Sequence, residues 1–147
     1  MKSFAILSLA GCVLLIGGCK GKEAQFVGTW NGQQNVALVL KDDKTFTMGA
    51  PSAPQTAGGG HWKVDGDNVS LQIETIGGKP AAQALDEMLS QQASILKAMH
   101  KDPDQMKKQA LDEIAKPVLV TPDAGFKTLT LKNPTGTGTM KFTKAGS

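Results

Sequence analysis

His61-Trp62-Lys63-Val64-Asp65-Gly66-Asp67-Asn68-Val69-Ser70-Leu71-Gln72-Ile73 reads as two alternating strands about a polar turn. Successive side chains on a strand point to opposite faces, so Trp62 and Val64 share one face, as do Val69, Leu71 and Ile73. Asp65-Gly66-Asp67-Asn68 between them has the composition of a tight hairpin. An antiparallel sheet with one apolar face is the consequence.

The same pattern extends upstream. Phe26-Val27-Gly28-Thr29-Trp30-Asn31-Gly32 begins the domain, Val36, Leu38 and Leu40 alternate toward one side, and Lys41-Asp42-Asp43-Lys44 turns the chain into Thr45-Phe46-Thr47-Met48. Ala50 to Gly60 is dense in Pro and Gly without an apolar period, which predicts a mobile connection.

Downstream the period changes. Pro80 opens a segment in which Leu85, Met88, Leu89, Gln92, Leu96 and Met99 fall on one helical stripe. Asp102-Pro103-Asp104-Gln105 then supplies a cap, a proline at the first position and a capping-box glutamine for a second helix, with Met106, Ala110 and Ile114 in register until Pro117. Val118-Leu119-Val120, Phe126 to Leu131 and Thr137 to Phe142 read as returning strands, the last two joined by a turn at Asn133-Pro134-Thr135-Gly136. The fold class is α+β, mainly antiparallel β. It is a meander sheet or partial barrel with an inserted two-helix segment, about residues 80–116, covering one face. Those helices either seal a core or lid a cavity.

Gly28-Thr29-Trp30, the polar turn into Thr45-Phe46-Thr47, and Gly59-Gly60-His61-Trp62-Lys63-Val64-Asp65-Gly66-Asp67-Asn68-Val69-Ser70-Leu71 together resemble the small lipocalin-like β-domains of bacterial lipoproteins. The resemblance implies the fold and a binding role. The helical middle of the chain departs from it, since a plain barrel continues there with strands.

The N-terminus has a different logic. Met1-Lys2, an apolar run to Ile16 and Gly17-Gly18 ahead of Cys19 form a secretory signal peptide, too short before Lys20-Gly21-Lys22 for a membrane span. Ile16-Gly17-Gly18-Cys19 resembles the lipobox of bacterial lipoproteins, which implies diacylglycerol on the Cys19 sulfur and an acylated Cys19 as the mature N-terminus. Leu9-Ala10-Gly11-Cys12 fits the box better in letters, but cutting there leaves only a stub of apolar region and puts Val13-Leu14-Leu15-Ile16 on the mature end, so Cys19 is favoured and Cys12 is the alternative. Several acyl chains at about 0.8 kcal/mol per buried methylene hold a protein stably on its membrane, and Lys20 and Lys22 each add about 1 kcal/mol against anionic headgroups. By resemblance to lipoprotein sorting in two-membrane bacteria, a Lys directly after the cysteine implies the outer membrane. The expected organisation is a signal peptide over 1–18, a lipidated tether over 19–25 and a single β-rich domain over 26–147.

Composition narrows the function classes. Lys+Arg is 16 and Asp+Glu 13 in 147 residues, nearly balanced, and every basic residue is Lys. Without Arg the planar fork that reads guanine edges or clamps phosphate is absent, so nucleic acid is a poor partner. With Cys19 lipidated, no disulfide or thiol nucleophile remains.

No catalytic constellation stands out. The chain lacks Gly-x-Ser-x-Gly, a Walker loop, His-Glu-x-x-His and Cys-x-x-Cys, and the two histidines, His61 and His100, have no second ligand nearby in sequence. His100 is placed in the last turn of its helix, where a cation suits the dipole. Asp65-Gly66-Asp67-Asn68 sets oxygens at alternate places like a calcium loop, yet it lacks the distal bidentate Glu and is flanked by strands, so it reads as a turn.

Two expectations follow. One is a non-enzymatic, membrane-anchored binding or accessory protein with an apolar cavity between sheet and helices, lined by Trp30, Leu38, Met48, Trp62, Leu85, Met88, Leu89 and Met99. It carries no cofactor beyond the covalent lipid, and it takes an apolar small molecule. The other is an envelope protein–protein module in which the helix face around Lys101, Lys107 and Lys108 meets an acidic partner.

Overall fold

The computed structural model describes residues 21–132 and 138–146. A short helix α1 (Lys22–Phe26) leads into β1 (Gly28–Gly32), β2 (Ala37–Leu40), β3 (Thr45–Gly49), β4 (Gly58–Asp65) and β5 (Asn68–Ile76). A two-residue strand β6 (Lys79–Pro80) and the helices α2 (Ala81–Gln91), α3 (Ala93–Ala98) and α4 (Pro103–Ile114) intervene before β7 (Val118–Pro122), β8 (Thr128–Lys132) and β9 (Thr139–Lys144).

Every strand pair is antiparallel, and neighbours in the sheet are neighbours in the chain except β5 and β7, which the helical insert separates, and β1 and β9, which close the sheet. β1 pairs with β9 through Trp30 and Lys144, and β4 pairs with β5 along its length, so eight of the nine strands close on themselves. This is a closed up-and-down barrel of the lipocalin-like kind, with β6 as a short addition to the end of β5. Closure satisfies the ladder hydrogen bonds that an open sheet leaves at its edges. The barrel's own curvature therefore covers its apolar face.

Alternation places the core. Trp30, Leu38, Leu40, Phe46, Trp62, Val69, Leu71, Val120, Leu129 and Phe142 point inward, all at most 2% exposed, and Phe26 of α1 joins them from one end. Each large apolar side chain so buried contributes about 1.5–3 kcal/mol. Half-buried Met48, Val64, Ile73, Leu131 and Met140 extend the same cluster.

Two segments of the sheet differ from the reading of the sequence. Gly58, Gly59 and Gly60 belong to β4 rather than to a mobile connection, and the residues before them form a 3-10 turn over Pro54–Thr56. A Cβ on Gly60 would lie 2.0 Å from the Gln72 carbonyl oxygen, at a register shift between β4 and β5, so glycine is required there by close approach within a strand. Phe126 belongs not to a strand but to the β7–β8 turn, with φ +52°, where the Asp123 carboxylate accepts the backbone N–H of Lys127 and Thr128 at 2.8 and 3.1 Å. The expected turn at Asn133-Pro134-Thr135-Gly136 lies outside the described residues.

The helical insert packs on the outside of the barrel. Gly77 and Gly78, at φ +58° and +77°, make the turn that pairs β6 with β5 and launches α2. Ala81 and Ala84 are buried, and α2 packs against both β5 and α4. The chain breaks helical geometry at Gln92, so the first expected helix is two. α3 ends with His100 left-handed at φ +53°, the Lys101 N–H reaching the Leu96 carbonyl and the His100 N–H the Lys97 carbonyl. His100 thus lies just past the helix end rather than inside its last turn. α4 starts as expected, the Asp102 carboxylate accepting the Asp104 N–H at 3.0 Å. It finishes against β5, where the Gln72 side-chain amide donates to the Ile114 and Ala115 carbonyls.

Candidate functional site

The residues expected to line a cavity separate into two sets. Trp30, Leu38 and Trp62 are buried inside the barrel with Met48 packed beside them, whereas Leu85, Met88 and Leu89 sit on α2 and Met99 just past the end of α3, outside it. The barrel wall stands between the sets, so the two sets do not line one common space. The barrel axis is occupied by the side chains of its own strands. Met88 and Met99 are instead 44% and 56% exposed, and Ile95, which the stripe did not include, is 62% exposed.

The surface of the insert is mixed in charge. Lys107 pairs with Asp86 across α2 and α4 at 2.6 Å, so its ammonium is held within the helical hairpin, while Lys101 and Lys108 are exposed. Met88 and Gln91 border a hollow of about 260 Å³ with Gln55 and Thr56 of the β3–β4 loop. This places the hairpin at the barrel end where that loop and the β5–β6 turn lie.

A groove of about 380 Å³, with part of Trp62 in its lining, runs along the outer face of β4 and β5. His61, Lys63 and Asp65 come from one strand, Ser70, Gln72 and Glu74 from the other, and Pro117 closes a side. His61 Nδ1 lies 2.9 and 3.0 Å from the two Glu74 oxygens, a diagonal cross-strand pair. The sequence places His61 on the face opposite Trp62 correctly, but the pairing with Glu74 depends on a register shifted by the bulge at Gly59 and Gly60.

The opposite end of the barrel is the most elaborately built part of the molecule. Phe26 enters it from α1 and meets Phe126, and the Trp30 indole N–H donates to the Phe26 carbonyl at 2.8 Å. Lys144 Nζ donates to the Gln25 carbonyl at 2.6 Å and lies 5.2 Å from the centre of the Trp30 ring. Lys44 pairs with Glu23 and lies 4.5 Å over the Trp62 ring, whose indole N–H donates to the Lys41 carbonyl. Lys22 reaches Asp67 of the β4–β5 turn at 2.5 Å, and this contact, with the lysine's hydrogen bond first, holds the Asp67 carboxyl below the ordinary aspartate range.

Each tryptophan is therefore covered by a lysine that also grips α1. Sequence reasoning missed these clamps, because no local spacing relates Lys44 to Trp62 or Lys144 to Trp30. It also took residues 19–25 as a tether, whereas Lys22 to Phe26 form a docked helix. Cys12 and Cys19, the candidate lipidation positions, lie outside the described residues. Among the described residues no group of three His, Cys, Asp or Glu side chains is placed to hold a metal ion.

Compared with protein-family profiles and with curated proteins, the chain matches none.

Proposed function

We propose that the chain is a membrane-anchored lipoprotein of the cell envelope whose barrel serves as a non-enzymatic accessory module, recognising an envelope protein with its outer surface. Ile16-Gly17-Gly18-Cys19 supports the anchor, with Cys19 as the acylated residue and the outer membrane as the destination in a two-membrane cell. Between an internal ligand carrier and an interaction module, one observation favours the module. Trp30, Phe46, Trp62 and Phe142 meet inside the barrel with the aliphatic residues around them, leaving the exposed apolar side chains Met88, Ile95 and Met99 on the helical hairpin.

Two measurements test the reading. Metabolic labelling with a fatty acid, in wild type, Cys19→Ser and Cys12→Ser, should lose the label only in Cys19→Ser. Label lost in Cys12→Ser and kept in Cys19→Ser moves the anchor, and label in none removes it. Native mass spectrometry of the detergent-extracted protein should give the mass of the acylated chain alone, whereas a retained apolar molecule overturns the module in favour of the carrier.

A further inference from the structure

We infer that the α1 end of the barrel is the face held against the lipid bilayer, and that the docked helix fixes this orientation and directs the α2–α4 hairpin away from the membrane. The inference rests on lipidation of Cys19 as proposed above. Between that residue and Lys22 stand only Lys20 and Gly21. Three residue steps span at most about 10 Å even when fully extended. Whatever anchors the chain at Cys19 therefore draws α1 to within that distance of the point where the acyl chains enter the lipid.

α1 cannot act as a swivel, because five separate parts of the barrel hold it. Phe26, 1% exposed, is seated in the barrel end, against Phe126 of the β7–β8 turn. Its carbonyl accepts the Trp30 indole N–H, the Gln25 carbonyl accepts the Lys144 ammonium, Glu23 accepts Lys44, and Lys22 donates to Asp67. Exposed ion pairs are individually weak. The burial of Phe26 and the bonds to the helix carbonyls supply the rigidity.

The two ends are far enough apart for orientation to matter. β5 has nine residues at about 3.3 Å each, tilted by about 40° in a barrel of this size, so the ends differ by about 20 Å in height. Turns Lys41–Lys44, Gly66–Asp67 and Asp123–Phe126 lie at the α1 end, while the β3–β4 loop, the β5–β6 turn and the start of α2 lie at the other. Among the described residues of α1, Lys22 is paired with Asp67 and Glu23 with Lys44. Orientation therefore comes from the short link between the anchor and the docked helix, and Lys20 adds attraction to anionic lipid at the same end.

The test uses the full chain, processed and acylated in cells, purified and placed in phosphatidylcholine vesicles carrying a nitroxide-headgroup lipid. Single cysteines at Asp42→Cys and Ala124→Cys mark the α1 end, and Ser52→Cys and Gln91→Cys mark the far end, each labelled with a fluorophore. Quenching should be several-fold stronger at the first two than at the far pair. A flexible Gly/Ser insert of about twelve residues between Lys20 and Gly21, with a reach of about 20 Å, should abolish the difference while leaving the fold intact. Equal quenching at both ends without the insert, or stronger quenching at Ser52 and Gln91, overturns the orientation while the lipid anchor stands. Protein that carries no fatty acid by mass and stays off the vesicles overturns the anchor, and the orientation with it.

Discussion

The rings of Phe26 and Phe126 meet edge to face, with centroids 5.3 Å apart and planes inclined by 72°. This contact plugs one end of the barrel, and it holds Phe126 at φ +52°, a conformation that a residue with a Cβ adopts only under compulsion. Phe26→Ala should cost about 3–5 kcal/mol, the range for deleting a buried phenylalanine. At Phe126 two effects oppose one another, since losing the ring destabilises and losing the Cβ relieves the backbone. Phe126→Gly should therefore be more stable than Phe126→Ala by about 1 kcal/mol, a reversal of the usual order read directly from urea midpoints.

Barrel interior and outer surface should respond differently to the same truncation. Leu129 is fully buried, and Leu129→Ala should cost about 2–5 kcal/mol. Leu119, 47% exposed on the outside of β7, should lose under about 0.5 kcal/mol on the same change. Met99→Ala should resemble Leu119→Ala in denaturant unfolding. A large loss at Met99 would place that side chain in a core and undo the separation of helices from barrel.

Glycines separate into two kinds, and alanine substitutions should reveal them. Gly66→Ala meets open space but keeps φ +63°, so about 1 kcal/mol is expected. Gly60→Ala drives a Cβ into the Gln72 carbonyl and the β4–β5 register. Its unfolding midpoint should fall much further than that of Gly66→Ala, and amide exchange should accelerate along both strands.

Acid should loosen the β7–β8 turn. The backbone N–H groups of Thr128 and then Lys127 hold the Asp123 carboxyl below its ordinary value of 3.8. Because the folded value is the lower one, the group's stabilisation is complete above the unfolded value and is lost as pH falls through the folded one. Asp123→Asn removes that titration, so stability measured between neutral pH and about pH 2 should decline less steeply in the variant than in wild type. Identical slopes would show that the turn does not sense the charge.

Much of the barrel was legible because strand period and turn chemistry are local. The hairpin from His61 to Ile73, the turn at Lys41 to Lys44 and the Asp102 cap of α4 all depend on residues a few positions apart. Closure was not legible, since alternation at Trp30 and Phe142 says which way each points and nothing about their strands being partners. The α1 helix is too short to carry a period, and Gly58 to Gly60 were hidden because glycine in a strand looks like glycine in a loop.

The candidate site followed the same limit. Trp30, Leu38 and Trp62, expected to line a cavity between sheet and helices, share the barrel core, with Met48 packed against it. Leu85, Met88, Leu89 and Met99 were assigned to the same space because an apolar stripe identifies a buried side of a helix without saying which neighbour buries it. In the structure those neighbours are β5's outer surface and α4, and Met88 and Met99 are left largely exposed.

The pairing of β1 with β9 also sets a schedule. Trp30 and Lys144 are adjacent in the sheet although they stand near opposite ends of the chain, so the barrel cannot close until the last strand has emerged. Contacts of such long sequence separation make folding slow relative to helical proteins of the same size. A chain threaded across a membrane from its N-terminus would spend that interval with α1 undocked and β1 unpaired. Truncation within β9 removes the partner of β1 and, with Lys144, the donor to the Gln25 carbonyl, so a chain cut there should lose that part of the clamp around α1.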